Sequence, residues 1–450
     1  MKRIKEFFLA FIKDQSFLNV IRNSGYLFSS NSISSLLASL QGILAAIILG
    51  PANYGFLGLI VTFSSNVNRL LSFRMGELVI KFGGSFLEKG EKSNAGAVIK
   101  FSGIVEIITS LIAYGLLVLT APLAAKYILK NSEMTQWIII YGFALLANFL
   151  TETATAILQL ADRYKTIAIF NFLQNFVTVA WIAVLYFTNG NLIQVLTAYL
   201  IGKFIYGFGI FLSGVLNLNS LIGHGWWKVS MSQIENKKEL VNFAISTNLS
   251  GTVNLLIRDS EVLWMGFFWN AEIVGYYKFG LAIINPIMMP INSLITTTYP
   301  EINKFIALRL WAPLKNLLRK VTLFALLWTS ACALGLILFG PWLLGFIKDG
   351  KYLPSLAITL ILLIGYGTAN VLFWNRNLLL AFNRPNAPLF IMAGVGLVKT
   401  AAMLIFVPQN GYLFQAGLLS AYFVVSVGLI SLLGWIHLRN SATIDGNLVG

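Results

Sequence analysis

The hydrophobic positions of this chain fall into long apolar runs that short polar segments separate. A helix that crosses a membrane needs about 20 predominantly apolar residues. Twelve segments have about that length: 24–50, 55–80, 98–119, 137–160, 167–187, 192–216, 241–265, 272–298, 321–344, 355–381, 390–407 and 414–436. The pattern therefore predicts an all-α polytopic membrane protein with about twelve transmembrane helices. Ten or fourteen are the alternatives that keep both termini on one side.

Composition supports this fold class. Of the 450 residues, 57% are hydrophobic and 11% are charged, whereas a soluble domain has roughly 25% charged residues. The net charge of +15 would fit a nucleic-acid-binding protein, but the basic residues lie mostly in short loops between apolar runs. There they orient the helices and contact anionic lipid headgroups. We therefore expect membrane lipids, and no nucleic acid, as partners. The single cysteine and two histidines predict no internal disulfide and no metal site.

The basic residues also predict the orientation of the chain. Of the 32 Lys and Arg residues, 21 fall on the side of the predicted membrane that holds the termini, 4 fall on the other side and 7 lie inside spans. Cytoplasmic loops carry the excess of Lys and Arg, so both termini are expected in the cytoplasm. Residues 1–23 read as an amphipathic segment on the inner membrane surface, with a disordered basic tail as the alternative.

Corresponding spans in the two halves of the chain end in similar turn sequences. The first span ends in Leu49-Gly50-Pro51-Ala52-Asn53-Tyr54-Gly55, and the seventh in Asn270-Ala271-Glu272-Ile273-Val274-Gly275-Tyr276. The fourth ends in Ala161-Asp162-Arg163, and the tenth in Phe382-Asn383-Arg384. Two six-helix repeats in the same sense predict a pseudo-two-fold axis along the membrane normal and a cavity between two lobes. The predicted organisation is 1–23, a 24–216 lobe, a 217–240 interfacial linker, a 241–437 lobe and a 438–450 cytoplasmic tail.

These turns carry a resemblance to a known family. Together with Phe86-Leu87-Glu88-Lys89-Gly90 in an inner loop, they resemble the polysaccharide-exporting, O-antigen flippase branch of the multidrug/oligosaccharidyl-lipid/polysaccharide exporter (MOP) superfamily. The resemblance covers nearly the whole chain in span order and loop lengths. Where relatives often have Asp-x-Gly in the second span, this chain has Phe73-Arg74-Met75-Gly76-Glu77. The resemblance implies two six-helix lobes around a central cationic cavity.

The resemblance also implies a function. Such proteins move undecaprenyl-diphosphate-linked oligosaccharides from the inner to the outer leaflet of the bacterial cytoplasmic membrane by alternating access, as partners of polysaccharide polymerase machinery. The alternatives are a cation-coupled drug exporter and a peptidoglycan lipid-precursor flippase. The drug exporters typically use an acidic residue in the first span, and 24–50 contains none; the precursor flippases usually have fourteen spans. No extended loop carries the carboxylate pair of a membrane transferase, so no enzymatic activity is expected.

Cations inside the apolar segments are the candidate ligands of a lipid diphosphate. A charged side chain costs on the order of 3 kcal/mol or more at the centre of a membrane helix, so such residues usually face a cavity or a partner. Arg suits phosphate because its planar fork donates two parallel hydrogen bonds. The seven cations are Arg69, Arg74, Lys203, Arg258, Lys278, Arg376 and Lys399. The predicted substrate-binding set is Arg69, Lys203, Arg258, Arg376 and Lys399 with Asn66 and Asn254.

Each of these cations also has a structural interpretation. Arg69 can be an ion-pair partner, and Arg376 and Lys278 can extend from helix ends to the membrane surface. Arg74 is expected to form a self-neutralised ladder with Glu77 and Lys81 at i, i+3 and i+7. Arg258 is expected to share a helical face with Asn254 and Glu261 and either to form a fixed pair with Glu261 or to exchange partners with it during transport.

Buried carboxylates are the candidates for ion coupling or gating. Glu106 and Glu152 each lie alone in a span, and Asp259 and Glu261 lie together in the seventh. A carboxylate removed from water tends to take up a proton, so a proton gradient could drive transport, with sodium as the alternative. The competing interpretation is a partner for Lys203 or Arg69. No cofactor is expected. Pro286 and Pro290 should kink the eighth span.

Overall fold

The chain folds as long helices, without strands in the part that is described. The structure is a computed structural model and describes residues 15–224, 226–231 and 237–448. Residues 1–14 of the predicted amphipathic segment 1–23 therefore lie outside the described residues. The predicted linker 217–240 is described only in part. The last two residues of the predicted tail are outside it as well. The prediction of an all-α polytopic membrane protein is confirmed.

The helices, in chain order, are α1 Gln15–Leu71, α2 Met75–Leu78, α3 Gly84–Glu88, α4 Lys92–Tyr127, α5 Thr135–Ala147, α6 Thr151–Leu160, α7 Tyr164–Phe187, α8 Leu192–Ile222, α9 Lys237–Asn254, α10 Glu261–Phe268, α11 Ala271–Ala307, α12 Trp311–Phe346, α13 Pro354–Val371, α14 Asn375–Ala381, α15 Asn386–Asn410 and α16 Tyr412–Leu448. Val79–Gly83 and Leu255–Asp259 are π-helical, and Ser132–Met134 and Trp226–Lys228 are 3-10 turns.

Among the described residues, ten helical stretches are long and apolar enough to cross a membrane. They are Ile33–Glu88, Lys92–Tyr127, Ser132–Leu160, Tyr164–Phe187, Leu192–Ile222, Ala271–Ala307, Trp311–Phe346, Pro354–Ala381, Asn386–Asn410 and Tyr412–Thr443. The first contains two predicted spans, since Gly50 interrupts α1 with non-helical backbone angles. The predicted segment 241–265 is not among the ten, because its helix is interrupted and rich in polar side chains.

Several predicted spans are broken helices, which the apolar pattern did not reveal. The second span breaks at residues 72–74, where Arg74 adopts the left-handed conformation. The fourth breaks between α5 and α6, and the tenth between α13 and α14. Non-helical backbone at membrane depth is tolerated where protein buries it or where it lines a cavity. The eighth span, by contrast, remains helical through Pro286 and Pro290.

By its contacts the chain divides into two compact units, Leu40–Lys278 and the described parts of 1–39 with 279–450. These bounds differ from the predicted 24–216 and 241–437 lobes. In the second unit, the core gathers side chains of α11, α12 and α16 around Trp374 and Leu378. In Leu40–Lys278, a core cluster joins Met75 and Leu78 to Ala97 and Val98 of α4.

A reciprocal contact within Leu40–Lys278 relates the two matching turns. A Cβ added to Gly55 would lie 1.7 Å from the carbonyl oxygen of Ala271, and one added to Gly275 would lie 2.0 Å from that of Pro51. Pro51 and Ala271 each begin a helical stretch, and each glycine lies four residues further on. Equivalent residues that contact each other reciprocally are the signature of a two-fold relation. The geometry therefore agrees with the predicted repeat at these turns.

The other pair of matching turns also has the same local structure. Asp162 and Asn383 both have positive φ angles, 55° and 57°. In both turns the following arginine N–H donates to the carbonyl five residues earlier, Arg163 to Leu158 at 2.7 Å and Arg384 to Leu379 at 2.9 Å. Asn and Asp are the side chains that tolerate this left-handed conformation best.

Candidate functional site

Two helix breaks approach each other inside the unit Leu40–Lys278. At the first, α1 ends at Leu71, and its last carbonyls lack partners along the helix. The Asn248 side chain of α9 donates to the carbonyl oxygens of Leu70, at 3.2 Å, and Ser72, at 2.5 Å. The hydroxyl of Ser72 donates to Glu152 Oε1 at 2.6 Å. These bonds stabilise the break and join it to the second one.

At the second break, a carboxylate binds the start of a half-helix. Glu106 of α4 is 6% exposed and accepts hydrogen bonds from the backbone N–H groups of Glu152, at 2.8 Å, and Thr153, at 2.9 Å. These are among the first N–H groups of α6, which have no partner within the helix. A helix N-terminus carries partial positive charge and favours an anion. Glu106 therefore stabilises the start of α6, and among the described residues it forms no ion pair with Lys203 or Arg69, which was the competing interpretation.

A polar pocket of about 400 Å³ lies between the two breaks. Arg69, Glu106, Glu152 and Lys203 of the predicted set line it. Its uncharged polar lining comprises Ser64, Ser65, Asn68, Ser72, Thr109, Ser110, Tyr141, Asn148, Thr151, Asn171, Gln174 and Tyr206. A cluster of amides, hydroxyls and phenols within apolar helices is suited to a polar ligand, since none of these groups is stable against lipid.

Lys203 lines the pocket without a counter-ion among the described residues. Its ammonium makes no hydrogen bond or ion pair with any residue that the structure describes. The α8 helix that carries Lys203 and Tyr206 packs closely on the second break, because a Cβ at Gly207 would lie 1.9 Å from the carbonyl oxygen of Ala147. This close approach fixes the position of Lys203 beside the pocket.

Arg69 and Arg258 share one carboxylate. Asp259 Oδ2 lies 2.7 Å from Arg69 Nη1, and Asp259 Oδ1 lies 2.7 Å from Arg258 Nε. The Asp259 side chain is 15% exposed, whereas those of Arg69 and Arg258 are 46% and 42% exposed. Asp259 therefore contacts both guanidinium groups, and both arginine side chains remain partly exposed.

This ion-pair triad corrects the prediction for the seventh span. Asn254, Arg258 and Glu261 were expected on one face of a continuous α-helix. Instead, Leu255–Asp259 is a π-helical segment, whose wider turn shifts the register. The shift places Asp259 against Arg69, while Glu261 begins α10 and is buried. The buried Asn66 side chain donates to Ser260 Oγ at 3.0 Å and holds this segment against α1.

A second pocket, of about 580 Å³, adjoins the first. It shares Arg69, Ser72, Thr151, Glu152 and Tyr206 with its neighbour and adds Arg74, Glu77, Gln159 and Asn248. Arg74 Nη1 lies 2.8 Å from Glu77 Oε1, so the predicted pair forms. Lys81 does not extend it as predicted, because its ammonium lies over the rings of Phe82 and Phe243, 4.6 and 4.4 Å from their centroids.

The remaining predicted ligands lie elsewhere. Arg376 is exposed on α14 and Lys399 is buried on α15, both in the unit that contains 279–450. Neither lines the two polar pockets described above, and Asn254 and Glu261 do not line them either. Lys278 packs its aliphatic stem on Gly58. The structure therefore gathers Arg69, Lys203, Glu106 and Glu152 at one site, with Arg258, Asp259 and Asn66 bound to its edge.

Sequence reasoning missed most of the uncharged pocket lining. Asn171 and Gln174 on α7, and Tyr206 one turn after Lys203 on α8, were not singled out. The sequence signal for these residues is the i, i+3 spacing of Asn171 with Gln174 and of Lys203 with Tyr206 within apolar spans. This spacing places the two members of each pair on one helical face.

The fold is that of a polytopic membrane protein, and the site is a polar pocket among its helices. Solved structures similar to this chain include an inward-facing multidrug resistance MATE family transporter of the MOP superfamily, with TM-score 0.71, 14% identity and coverage of 91% of this chain and 96% of that one. Another is the lipid II flippase MurJ, in an inward closed conformation, with TM-score 0.69, 13% identity and coverage of 92% of each chain. The chain thus shares the fold of these two solved structures.

Sequence comparison gives the family. The family described as "Polysaccharide biosynthesis protein" matches residues 20–306, and the chain belongs to it. A curated relative is the inner membrane protein YghQ of Escherichia coli (strain K12). It is 21% identical over 294 residues, which cover 64% of this chain and 81% of the relative. The family is the one that the resemblance in the turns predicted.

Proposed function

We propose that this protein is a flippase that moves an undecaprenyl-diphosphate-linked oligosaccharide, such as an O-antigen repeat unit, from the inner to the outer leaflet of a bacterial inner membrane. The observation that carries the proposal is the pocket that Lys203 and Arg69 line together with amides and tyrosines. Its volume lies within the range of about 300–1,000 Å³ that is typical of ligand pockets. Cations and uncharged polar groups together match a lipid whose head joins a diphosphate to a glycan.

Different residues of the site bind different parts of the lipid head group. Lys203 contributes an ammonium that pairs with no carboxylate among the described residues, and Arg69 contributes a planar guanidinium that donates to two phosphate oxygens. Asp259 balances Arg69 and Arg258 while the site is empty, which lowers the cost of keeping two arginines within the membrane-spanning part of the protein. The amides of Asn171 and Gln174 donate to and accept from sugar hydroxyls, and transport follows by alternating access.

For energy coupling we propose Glu152 ahead of Glu106. Both carboxylates line the pocket, but Glu106 accepts from two backbone N–H groups of α6, whereas Glu152 accepts from the hydroxyl of Ser72. A carboxylate beside an anion-binding pocket raises the cost of binding until it takes up a cation. We therefore expect Glu152→Gln to abolish gradient-driven accumulation while exchange across the membrane without a gradient continues.

The test is the leaflet distribution of the diphosphate-linked oligosaccharide in cells that lack the protein. We expect it to accumulate on the cytoplasmic side, with loss of surface polysaccharide. Re-expression of the wild-type protein should restore export, whereas Arg69→Gln and Lys203→Gln should insert normally and fail to do so. Lys89→Gln, which removes an exposed cation outside the pocket, is the matched control and should export normally.

Two results would overturn the proposal. Unchanged surface polysaccharide in the deletion strain, with raised sensitivity to cationic drugs, would identify a drug exporter. Wild-type export by both pocket variants would show that the diphosphate binds elsewhere.

A further inference from the structure

A groove in the unit that contains 279–450 has the polarity of a phospholipid. It has a volume of about 900 Å³ and is formed by α12 together with Trp374, which precedes α14, and Trp435 of α16. Its lining comprises Lys315, Asn316, Leu318, Arg319, Thr322, Leu323, Leu326, Trp374 and Trp435. The groove lies entirely within one unit and shares no residue with the pockets of Leu40–Lys278.

Two cations mark one end of the groove. Lys315 and Arg319 are one helical turn apart on α12, so they project from the same face. Neither makes a hydrogen bond or an ion pair with a residue that the structure describes. No carboxylate lines the groove. A single phosphate placed between the two side chains would therefore meet two cations whose charge nothing in the lining offsets.

The rest of the groove is apolar. Leu323 and Leu326 continue along α12, and Leu326 lies about 10 Å beyond Arg319 at the rise of an α-helix. Trp374 Nε1 donates to Thr322 Oγ1 at 2.7 Å, so its N–H is satisfied and its ring is left as an apolar wall. Leu326 and Trp435 are each 45% exposed, which leaves the groove open along its length.

We propose that this groove binds one anionic glycerophospholipid of the surrounding membrane, with its phosphate between Lys315 and Arg319 and an acyl chain along Leu323 and Leu326. A transported glycolipid fits less well, because Asn316 and Thr322 are the only uncharged polar side chains in the lining apart from the indoles. A glycan needs many more such partners, whereas a small headgroup does not.

The experiment measures lipid retention by the purified full-length protein. Native mass spectrometry in a mild detergent would follow the binding of phosphatidylglycerol and phosphatidylcholine with the same acyl chains. Wild-type protein should bind one phosphatidylglycerol saturably and prefer it to phosphatidylcholine. The double variant Lys315→Gln/Arg319→Gln should bind phosphatidylglycerol about 30-fold more weakly, since each cation near anionic lipid contributes about fivefold.

Matched variants separate the groove from general attraction to a basic surface. Arg163→Gln/Lys165→Gln removes two exposed cations elsewhere and should leave the saturable site intact. Leu326→Trp keeps both cations but fills the apolar part of the groove. It should therefore weaken the binding of phosphatidylglycerol, as the double Gln variant does. Lys315→Arg/Arg319→Lys keeps both charges and should bind normally, which shows that loss in the Gln variant is not misfolding.

Three outcomes would overturn the proposal. If Lys315→Gln/Arg319→Gln and the control Arg163→Gln/Lys165→Gln lost equal affinity for phosphatidylglycerol, the binding would be nonspecific attraction to basic residues. Equal binding of phosphatidylcholine would remove the role of the cations. Displacement of phosphatidylglycerol by undecaprenyl phosphate at lower concentration than any phospholipid would assign the groove to the transported lipid instead. None of these measurements depends on export activity, so the flippase proposal stands or falls separately.

Discussion

Glu106 offers a direct test of how the broken fourth span is held. Its carboxylate binds two N–H groups at the start of α6, and it is almost fully buried. A hydrogen bond to a charged group contributes about 1.5–3 kcal/mol to stability. Glu106→Ala removes both bonds and leaves two donors without a partner, so we expect the free energy of unfolding to fall by about 3–5 kcal/mol.

Glu106→Gln is the sharper variant. Its side chain has the same shape, but only its amide oxygen can accept, so one of the two N–H groups loses its partner. We expect about half of the loss seen for Ala, roughly 1.5–2.5 kcal/mol. At a temperature where the Gln variant is folded, export should remain, because the residue positions α6 and does not carry the coupling ion.

The assay is a denaturant titration of the purified protein in detergent, followed by helical circular dichroism, beside export in cells. Glu133→Gln, at an exposed carboxylate, is the control and should leave stability unchanged within about 0.5 kcal/mol. A Gln variant with wild-type stability and no export would refute the structural assignment and make Glu106 a coupling residue. An Ala variant as stable as the wild type would refute the hydrogen-bond argument itself.

Three further predictions follow from the contacts. Asp259→Asn leaves Arg69 and Arg258 without their shared anion. The purified variant should therefore bind inorganic diphosphate up to about tenfold more tightly in calorimetry, a gain of about 1.4 kcal/mol in binding free energy. Unchanged affinity would show that Asp259 does not compete with phosphate. Gly275→Leu adds a side chain whose Cβ would lie 2.0 Å from the carbonyl oxygen of Pro51. It should lower the free energy of unfolding by more than about 3 kcal/mol in thermal melts. The control Gly417→Leu has open space at its Cβ and should lower it by about 1 kcal/mol or less. Asn248→Ala removes the donor to Leu70 and Ser72 and should lower the free energy of unfolding by about 1–3 kcal/mol, and a neutral result in the same melts would show that water satisfies the break.

Membership of the fold class and the family could be predicted from the sequence, because both depend on features that are local in the chain. An apolar run of sufficient length has few stable alternatives to a membrane helix, and the glycine turns at Gly55 and Gly275 lie at matching places in the two halves. The intramembrane cations could also be found, since each is costly in lipid and therefore conspicuous. The structure brings two of these cations, Arg69 and Lys203, to one pocket.

Other features were decided only by the tertiary structure, because they depend on contacts between residues far apart in the chain. The break after Leu71 is stable because Asn248, from another helix, satisfies its carbonyls. The break before α6 is stable because Glu106 satisfies its N–H groups. The π-helical segment places Asp259 against both Arg69 and Arg258. Periodicity alone assumes an unbroken helix. The sequence therefore determined which charged groups lie inside the apolar segments, and packing determined which of them meet.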